Sequence, residues 1–194
     1  MSSTNAIETL FEERRPLVKR VLEIGIDKPQ AQEASSNHPR FHAGDALGGW
    51  RTFFPNAQIH GVGLTSVDTG KGNLDNYHVY RVDPTCPMEM AHVITRIGGP
   101  IDFIVDNGSN VETDQTKSFM YLEGKLADNG IYMIDNIQPS SIWRWKKLKV
   151  FSNDAYIDYL ERKYFITYFD RRLVSLREDD FCMVFLRKNN NDQK

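Results

Sequence analysis

Two short polar stretches carry the residues best suited to chemistry. Asp106-Asn107 closes the apolar run at 101–105, and Asp135-Asn136 closes the apolar run at 131–134. A continuous apolar run bounded by polar turn residues reads as a strand buried on both faces of a parallel sheet. Two neighbouring parallel strands would therefore each present an aspartate and an asparagine at the carboxyl end, the edge where open α/β sheets bind ligands. Asp-Asn is also an ordinary turn former, so one pair carries little weight and a matching second pair carries more. Asn110, in the turn after Asp106, cannot act as a base, because an amide accepts no proton at neutral pH.

The elements that must position these residues follow from the pattern around them. Phe119, Leu122 and Leu126 recur at helical spacing between the two strands, and Asn129-Gly130 is read as the helix end. Upstream, a short amphipathic helix is expected over 4–15, stopped by Pro16, and then a first strand over 18–26 that runs into Glu23 and Gly25. The polar segment 27–42 shows no periodicity and reads as a loop or lid. A helix from Ala46 to Phe54, a strand at 57–62, a turn-rich stretch, a strand at 78–82 and a helix at 87–97 lead back to the central unit. Beyond Asn136 come a segment mixing Trp143 and Trp145 with bases, a helix at 153–163, and two strands at 164–169 and 181–186. Strand alternating with helix predicts an α/β fold: one doubly wound, mostly parallel, Rossmann-like sheet of seven strands with an antiparallel C-terminal edge hairpin. Residues 1–188 are expected to form one domain and 189–194 a disordered tail.

Global properties narrow the class. The 194 residues suffice for one sizeable core. The balance of 24 basic to 26 acidic residues, net −2, gives no general reason to expect nucleic acid or an anionic membrane. Two cysteines, Cys86 and Cys182, are too few for a disulfide framework, and no apolar run reaches membrane-spanning length. A cytoplasmic protein with reduced thiols is the expectation.

Four stretches, VLEIGI at 21–26, GDALGGWRTFFPNAQIHGV at 44–62, DFIVDNGSN at 102–110 and LADNGIYMIDNIQPS at 126–140, carry a resemblance. In this order they resemble the class I S-adenosylmethionine-dependent methyltransferases, and more narrowly the macrocin and mycinamicin sugar O-methyltransferases and the cephalosporin hydroxylase-like proteins. The resemblance covers roughly residues 18 to 140. It implies that Glu23 and Gly25 support the methionine end of S-adenosylmethionine and that Gly44 opens the glycine-rich helix start. It further implies that Asp83 marks the adenine side and that Asp106 adjoins the cofactor. The resemblance implies too that Asp106 and Asp135 are the surviving acids of a magnesium site that orients a substrate hydroxyl, with Asn107 and Asn136 completing a set of four oxygen ligands for the hard cation. Asn110 stands where the family has a histidine that helps remove a proton, and Asn107 and Asn136 stand where acids are expected. Gly63 replaces the acid that holds the ribose, a role left to Ser66 or Asp68. His42, between the lid and the glycine turn, is the remaining catalytic candidate.

The resemblance implies an O-methyltransferase acting on a small hydroxylated molecule, using S-adenosylmethionine and little or no help from Mg²⁺. One alternative is a degenerate methyltransferase fold with a binding, partner or repurposed catalytic role, which the neutral Asn107, Asn110 and Asn136 favour. Another is an RNA 2′-O-methyltransferase built on Asp106, Lys146 or Lys147, and Glu178, which the net charge disfavours. The expected partner is a small-molecule acceptor, with no membrane, and a homodimer is left open.

Overall fold

The computed structural model describes residues 7–8, 10–26, 45–65 and 77–189. Its centre is a seven-stranded sheet in the order β3-β2-β1-β4-β5-β7-β6. The strands are β1 (Arg20–Ile24), β2 (Gln58–Gly63), β3 (Tyr77–Arg81), β4 (Ile101–Asp106), β5 (Leu126–Ile134), β6 (Tyr164–Asp170) and β7 (Phe181–Arg187). The first five pair in parallel, while β7 runs antiparallel to both β5 and β6. The expected hairpin is present, with β7 between β5 and the edge strand β6.

Alternation along the central strands divides the core into two layers. Leu22, Ile24, Ile104, Tyr132 and Ile134 face helices α2 (Pro87–Ile97), α3 (Glu112–Leu122), α4 (Pro139–Lys146) and α5 (Asp154–Lys163). They pack with Met90, Val93, Phe119, Trp145 and Leu160. Val21, Phe103, Val105, Ile131 and Met133 face the other way, towards α1 (Asp45–Phe53), and pack with Phe11, Trp50 and Phe54. The Phe103 ring lies 5.0 Å from Phe11 and 5.3 Å from Trp50 in edge-on contacts. Cutting a ring so enclosed back to alanine costs about 3–5 kcal/mol in comparable cores.

Two expectations are corrected. Asn129-Gly130 does not end a helix: α3 stops at Leu122, a 3₁₀ turn spans Glu123–Lys125, and both residues lie inside β5. The reason is a bulge. Ile101 pairs with Leu126 but Phe103 pairs with Ile131, so β5 carries extra residues there, and Asn129 takes φ 60° to accommodate them. A Cβ on Gly130 would come within 2.8 Å of the Ala127 carbonyl oxygen, which accounts for the glycine. At the amino end the described residues 7–8 and 10–11 are helical, but the helix gives way by Glu12, and Pro16 sits inside a 3₁₀ turn, Arg15–Leu17, rather than marking a stop. Trp143 and Trp145 also separate: Trp145 is fully buried, and Trp143 is 64% exposed. Residues 27–42 and 190–194 lie outside the described part, and among the described residues no helix is long and apolar enough to cross a membrane.

Candidate active site

The carboxyl ends of β1, β4 and β5 meet at one edge, and backbone packing brings them close. Gly25, just after β1, has φ +87°, and its amide donates to the Val62 carbonyl at 2.8 Å. A Cβ there would stand 2.4 Å from the Asn107 carbonyl oxygen and 2.5 Å from Gly108 Cα. Only glycine lets the turns after β1 and β4 approach so closely. The Asn107 amide donates to the Ile24 carbonyl at 3.1 Å, and the Asp135 amide to the Asp106 carbonyl at 2.9 Å, tying the three strand ends together.

Beneath this floor Glu23 is almost fully buried and accepts a 2.9 Å hydrogen bond from Trp50 Nε1. Burial raises its pKa to about 7, and the Trp50 bond only partly opposes the rise. Asp106 is 2% exposed. Its Oδ1 accepts from the Gly108 amide at 3.1 Å, and its Oδ2 from the Tyr132 hydroxyl at 3.3 Å. Burial, then the Asp106 charge, drives the Tyr132 pKa far above its ordinary range, so this hydroxyl is a permanent donor.

Asn107 and Asn136 face each other, with Asn136 Nδ2 donating to Asn107 Oδ1 at 2.6 Å. Asn136 holds φ 53°, a conformation asparagine tolerates better than most residues. Asp135 Oδ1 accepts from the Asn136 amide at 3.0 Å and from Arg171 Nη2 at 2.8 Å. Arg171 also pairs with Asp180 and donates to Cys182 Sγ at 3.3 Å. Burial works against its charge, but Asp135, Cys182 and Asp180 outweigh burial and its pKa rises. Arg177 Nη2 completes the ring with a 3.4 Å contact to Asn136 Oδ1.

Of the residues expected at the site, the structure brings Glu23, Gly25, Asp106, Asn107, Asp135 and Asn136 together. Asn110 is half-buried in the turn following Asp106. Asp83 follows β3 at the same sheet edge, but its Oδ1 is taken by the amide and hydroxyl of Thr85, both at 2.8 Å. Lys146 lies over the rings of Tyr168 and Phe181. His42, Gly44 and Asp68 lie outside the described residues. Sequence reasoning missed Trp50, Tyr132, Arg171 and Arg177 as polar partners. A tyrosine inside a buried strand could have signalled Tyr132, since its hydroxyl needs a partner. Nothing local distinguishes Arg171 from Arg172.

Among the described residues, no group of three or more histidine, cysteine or acidic side chains stands where it could hold a metal ion. An open cleft of about 660 Å³ is bounded by Pro139, Asp170, Arg172, Leu173, Leu176, Arg177 and Glu178, of which Arg177 reaches Asn136. Leu173 and Leu176 are 92% and 87% exposed.

No family model matches the chain. Curated relatives do. A mycinamicin VI 2″-O-methyltransferase of Micromonospora griseorubida is 28% identical over 128 residues, 66% of this chain and 29% of the relative. A demethylmacrocin O-methyltransferase of Streptomyces fradiae is 30% identical over 132 residues, with the same two coverages. A rhamnosyl-tetracenomycin-C 2′-O-methyltransferase of Streptomyces olivaceus is 26% identical over 140 residues, 71% of this chain and 33% of the relative. The chain thus spans about a third of the length of the curated relatives it matches. Among solved structures, the MycE methyltransferase of the mycinamycin pathway, solved with Mg and SAH, superposes with a TM-score of 0.65 at 19% identity, covering 98% of this chain and 51% of MycE. An O-methyltransferase from Bacillus cereus in complex with SAH gives 0.54 at 13% identity, covering 96% of this chain and 82% of that one. Fibrillarin of Methanococcus jannaschii gives 0.55 at 15%, covering 91% and 69%. The chain has the Rossmann-like fold of the S-adenosylmethionine-dependent methyltransferases, and its curated homologues are macrolide sugar O-methyltransferases of the mycinamicin and macrocin kind.

Proposed function

We propose that the chain is an S-adenosylmethionine-dependent O-methyltransferase acting on a small hydroxylated molecule. The observation that supports this most directly is the convergence of Gly25, Asp106 and Asp135 on one sheet edge, in a chain similar to sugar O-methyltransferases. The residues present fit the cofactor: the glycine turn after β1 keeps the floor free of side chains, and the buried Glu23 and Asp106 brace that floor through their bonds to Trp50, Gly108 and Tyr132. Bound S-adenosylmethionine would supply the transferable methyl group. What the protein contributes is position. Tyr132 and Gly108 fix the buried Asp106 carboxylate beneath the edge, and Arg171 fixes that of Asp135, the more accessible of the two acids and the one placed to orient a hydroxyl for in-line attack. The cleft beside Asn136 gives the acceptor a place, with Leu173, Leu176 and Pro139 against its apolar part. One structural neighbour, MycE, was solved with mycinamycin VI bound, and the cleft here offers an acceptor both apolar side chains and the charged Asp170, Arg172, Arg177 and Glu178.

The first test is calorimetric titration of cofactor-stripped protein with S-adenosylmethionine. Micromolar binding that Gly25→Ala abolishes is expected, and absence of binding would overturn the proposal. A second reading is favoured by one observation: Asn107 and Asn136 are bonded to each other instead of carrying charge. Under that reading the fold binds the cofactor or a related metabolite without turnover. Cofactor binding without methyl transfer to any hydroxylated acceptor in a radiolabelled assay would select it.

A further inference from the structure

Arg171 follows β6 and turns back towards the end of β5. The residue is 5% exposed. Its Nη2 donates to Asp135 at 2.8 Å, its Nε to Asp180 at 2.5 Å, and its Nη1 to Cys182 Sγ at 3.3 Å. A guanidinium gripped between two carboxylates is fixed in place even when one of them is disturbed, and it cannot be deprotonated. The resemblance to the sugar methyltransferases sets a divalent cation among Asp106, Asn107, Asp135 and Asn136. Each of these four has a side-chain oxygen already served by an internal donor. Gly108 and Tyr132 serve Asp106, Asn136 serves Asn107, Arg171 serves Asp135, and Arg177 reaches Asn136.

We infer that Arg171 supplies, as a permanent side chain, the positive charge that a divalent cation brings to sites of this kind, so that the chain recruits no Mg²⁺ at Asp135. Mg²⁺ needs near-octahedral oxygen coordination and gives up water reluctantly. To bind at Asp135 it would have to displace a buried guanidinium from its carboxylate, leaving that charge unpaired, or settle against it and be repelled. Two asparagines in place of acids lower the attraction further. Arg171 is thus a positioning residue, which acts by holding the Asp135 carboxylate oriented. The inference rests on the methyltransferase reading only for the identity of the ion replaced.

The test counts metal directly. The purified chain is titrated with Mn²⁺ and the free ion is read by electron paramagnetic resonance, while S-adenosylmethionine binding is measured by calorimetry in EDTA on the same preparation. The wild-type protein is expected to bind no Mn²⁺ at Asp135 up to about 1 mM, the weak end of protein sites for hard divalent cations. Arg171→Met is expected to gain one site that a further Asp135→Asn removes, and Arg171→Lys, which keeps the charge, to gain none. Wild-type Mn²⁺ binding that Asp135→Asn abolishes would overturn the inference, as would an Arg171→Met protein that gains no site. Should Arg171→Met fail to fold without metal, the wild-type and Arg171→Lys titrations still decide. Loss of cofactor binding in EDTA would count against the methyltransferase reading and leave the manganese result standing.

Discussion

Asn136 reaches across from the end of β5 and donates its side-chain amide to Asn107, at the end of β4, over 2.6 Å. The resemblance leads to acids being expected at these two positions, and here one neutral hydrogen bond stands where two carboxylates would repel. Either residue alone can become aspartate and keep a bond, since the remaining asparagine can present its amide nitrogen. Asn107→Asp and Asn136→Asp should therefore each change stability by less than about 1 kcal/mol. The double variant sets two carboxylates face to face and should lose about 2 kcal/mol more than the sum. Mg²⁺ should raise the melting temperature of the double variant and leave that of the wild type unmoved. Additive singles in a thermal double-mutant cycle would mean that the amide pair carries no such role.

Gly25 makes the sharpest steric prediction. Its φ of +87° and the 2.4 Å approach of the Asn107 carbonyl oxygen to a built Cβ act together. Gly25→Ala should cost about 2–4 kcal/mol, the sum of left-handed strain and a displaced turn. Urea denaturation measures it. A loss below about 0.5 kcal/mol would show that the β1 and β4 turns can separate freely.

What the sequence disclosed and what it withheld follow from the range of the interactions. The buried strands at 101–105 and 131–134 are legible because burial on both faces demands uninterrupted apolar residues, and α2 is legible between Pro87 and the glycines after Ile97. Asn129-Gly130 was misread because the same dipeptide serves a helix end and a bulge, and only the β4–β5 register separates them. Arg171 was invisible for a different reason. It meets Asp135 and Asp180 because β6 and β7 pair with Asp170 opposite Phe181, and no local pattern encodes that return. The strand-end acids could be found from sequence, but the arginine that pairs with Asp135 could not.

Glu23 predicts a pH dependence. Its folded pKa of about 7 lies above the ordinary 4.5, because burial penalises the carboxylate. A group raised in this way contributes full stability below its unfolded pKa, and that contribution is lost as pH rises through the folded pKa. Glu23→Gln keeps an acceptor for Trp50 without the charge. Relative to wild type it should gain nothing near pH 4.5 and increasing stability towards pH 7, levelling at about 3 kcal/mol above that. Urea denaturation at about pH 5 and about pH 8 separates the cases. A constant difference across this range would mean that Glu23 is ionised throughout.

Leu176 presents the opposite balance, a strained residue with no burial to show for it. It holds φ 60° at the end of α6 (Arg172–Ser175), and it is 87% exposed beside the cleft next to Asn136. A leucine in the left-handed region costs roughly 1–2 kcal/mol, so Leu176→Gly should raise stability by about 0.5–1 kcal/mol once the greater freedom of glycine in the unfolded chain is allowed for. A strained, exposed side chain that lines the cleft is the one to vary in testing the proposal that the acceptor's apolar part lies there. Binding of the apolar dye anilinonaphthalene sulfonate, followed by fluorescence, should fall several-fold in Leu173→Ser and in Leu176→Gly while both remain folded. If Leu176→Gly lowers the melting temperature, the turn is not strained as described. If dye binding is unchanged in both variants, the acceptor lies elsewhere along the edge formed by β1, β4 and β5.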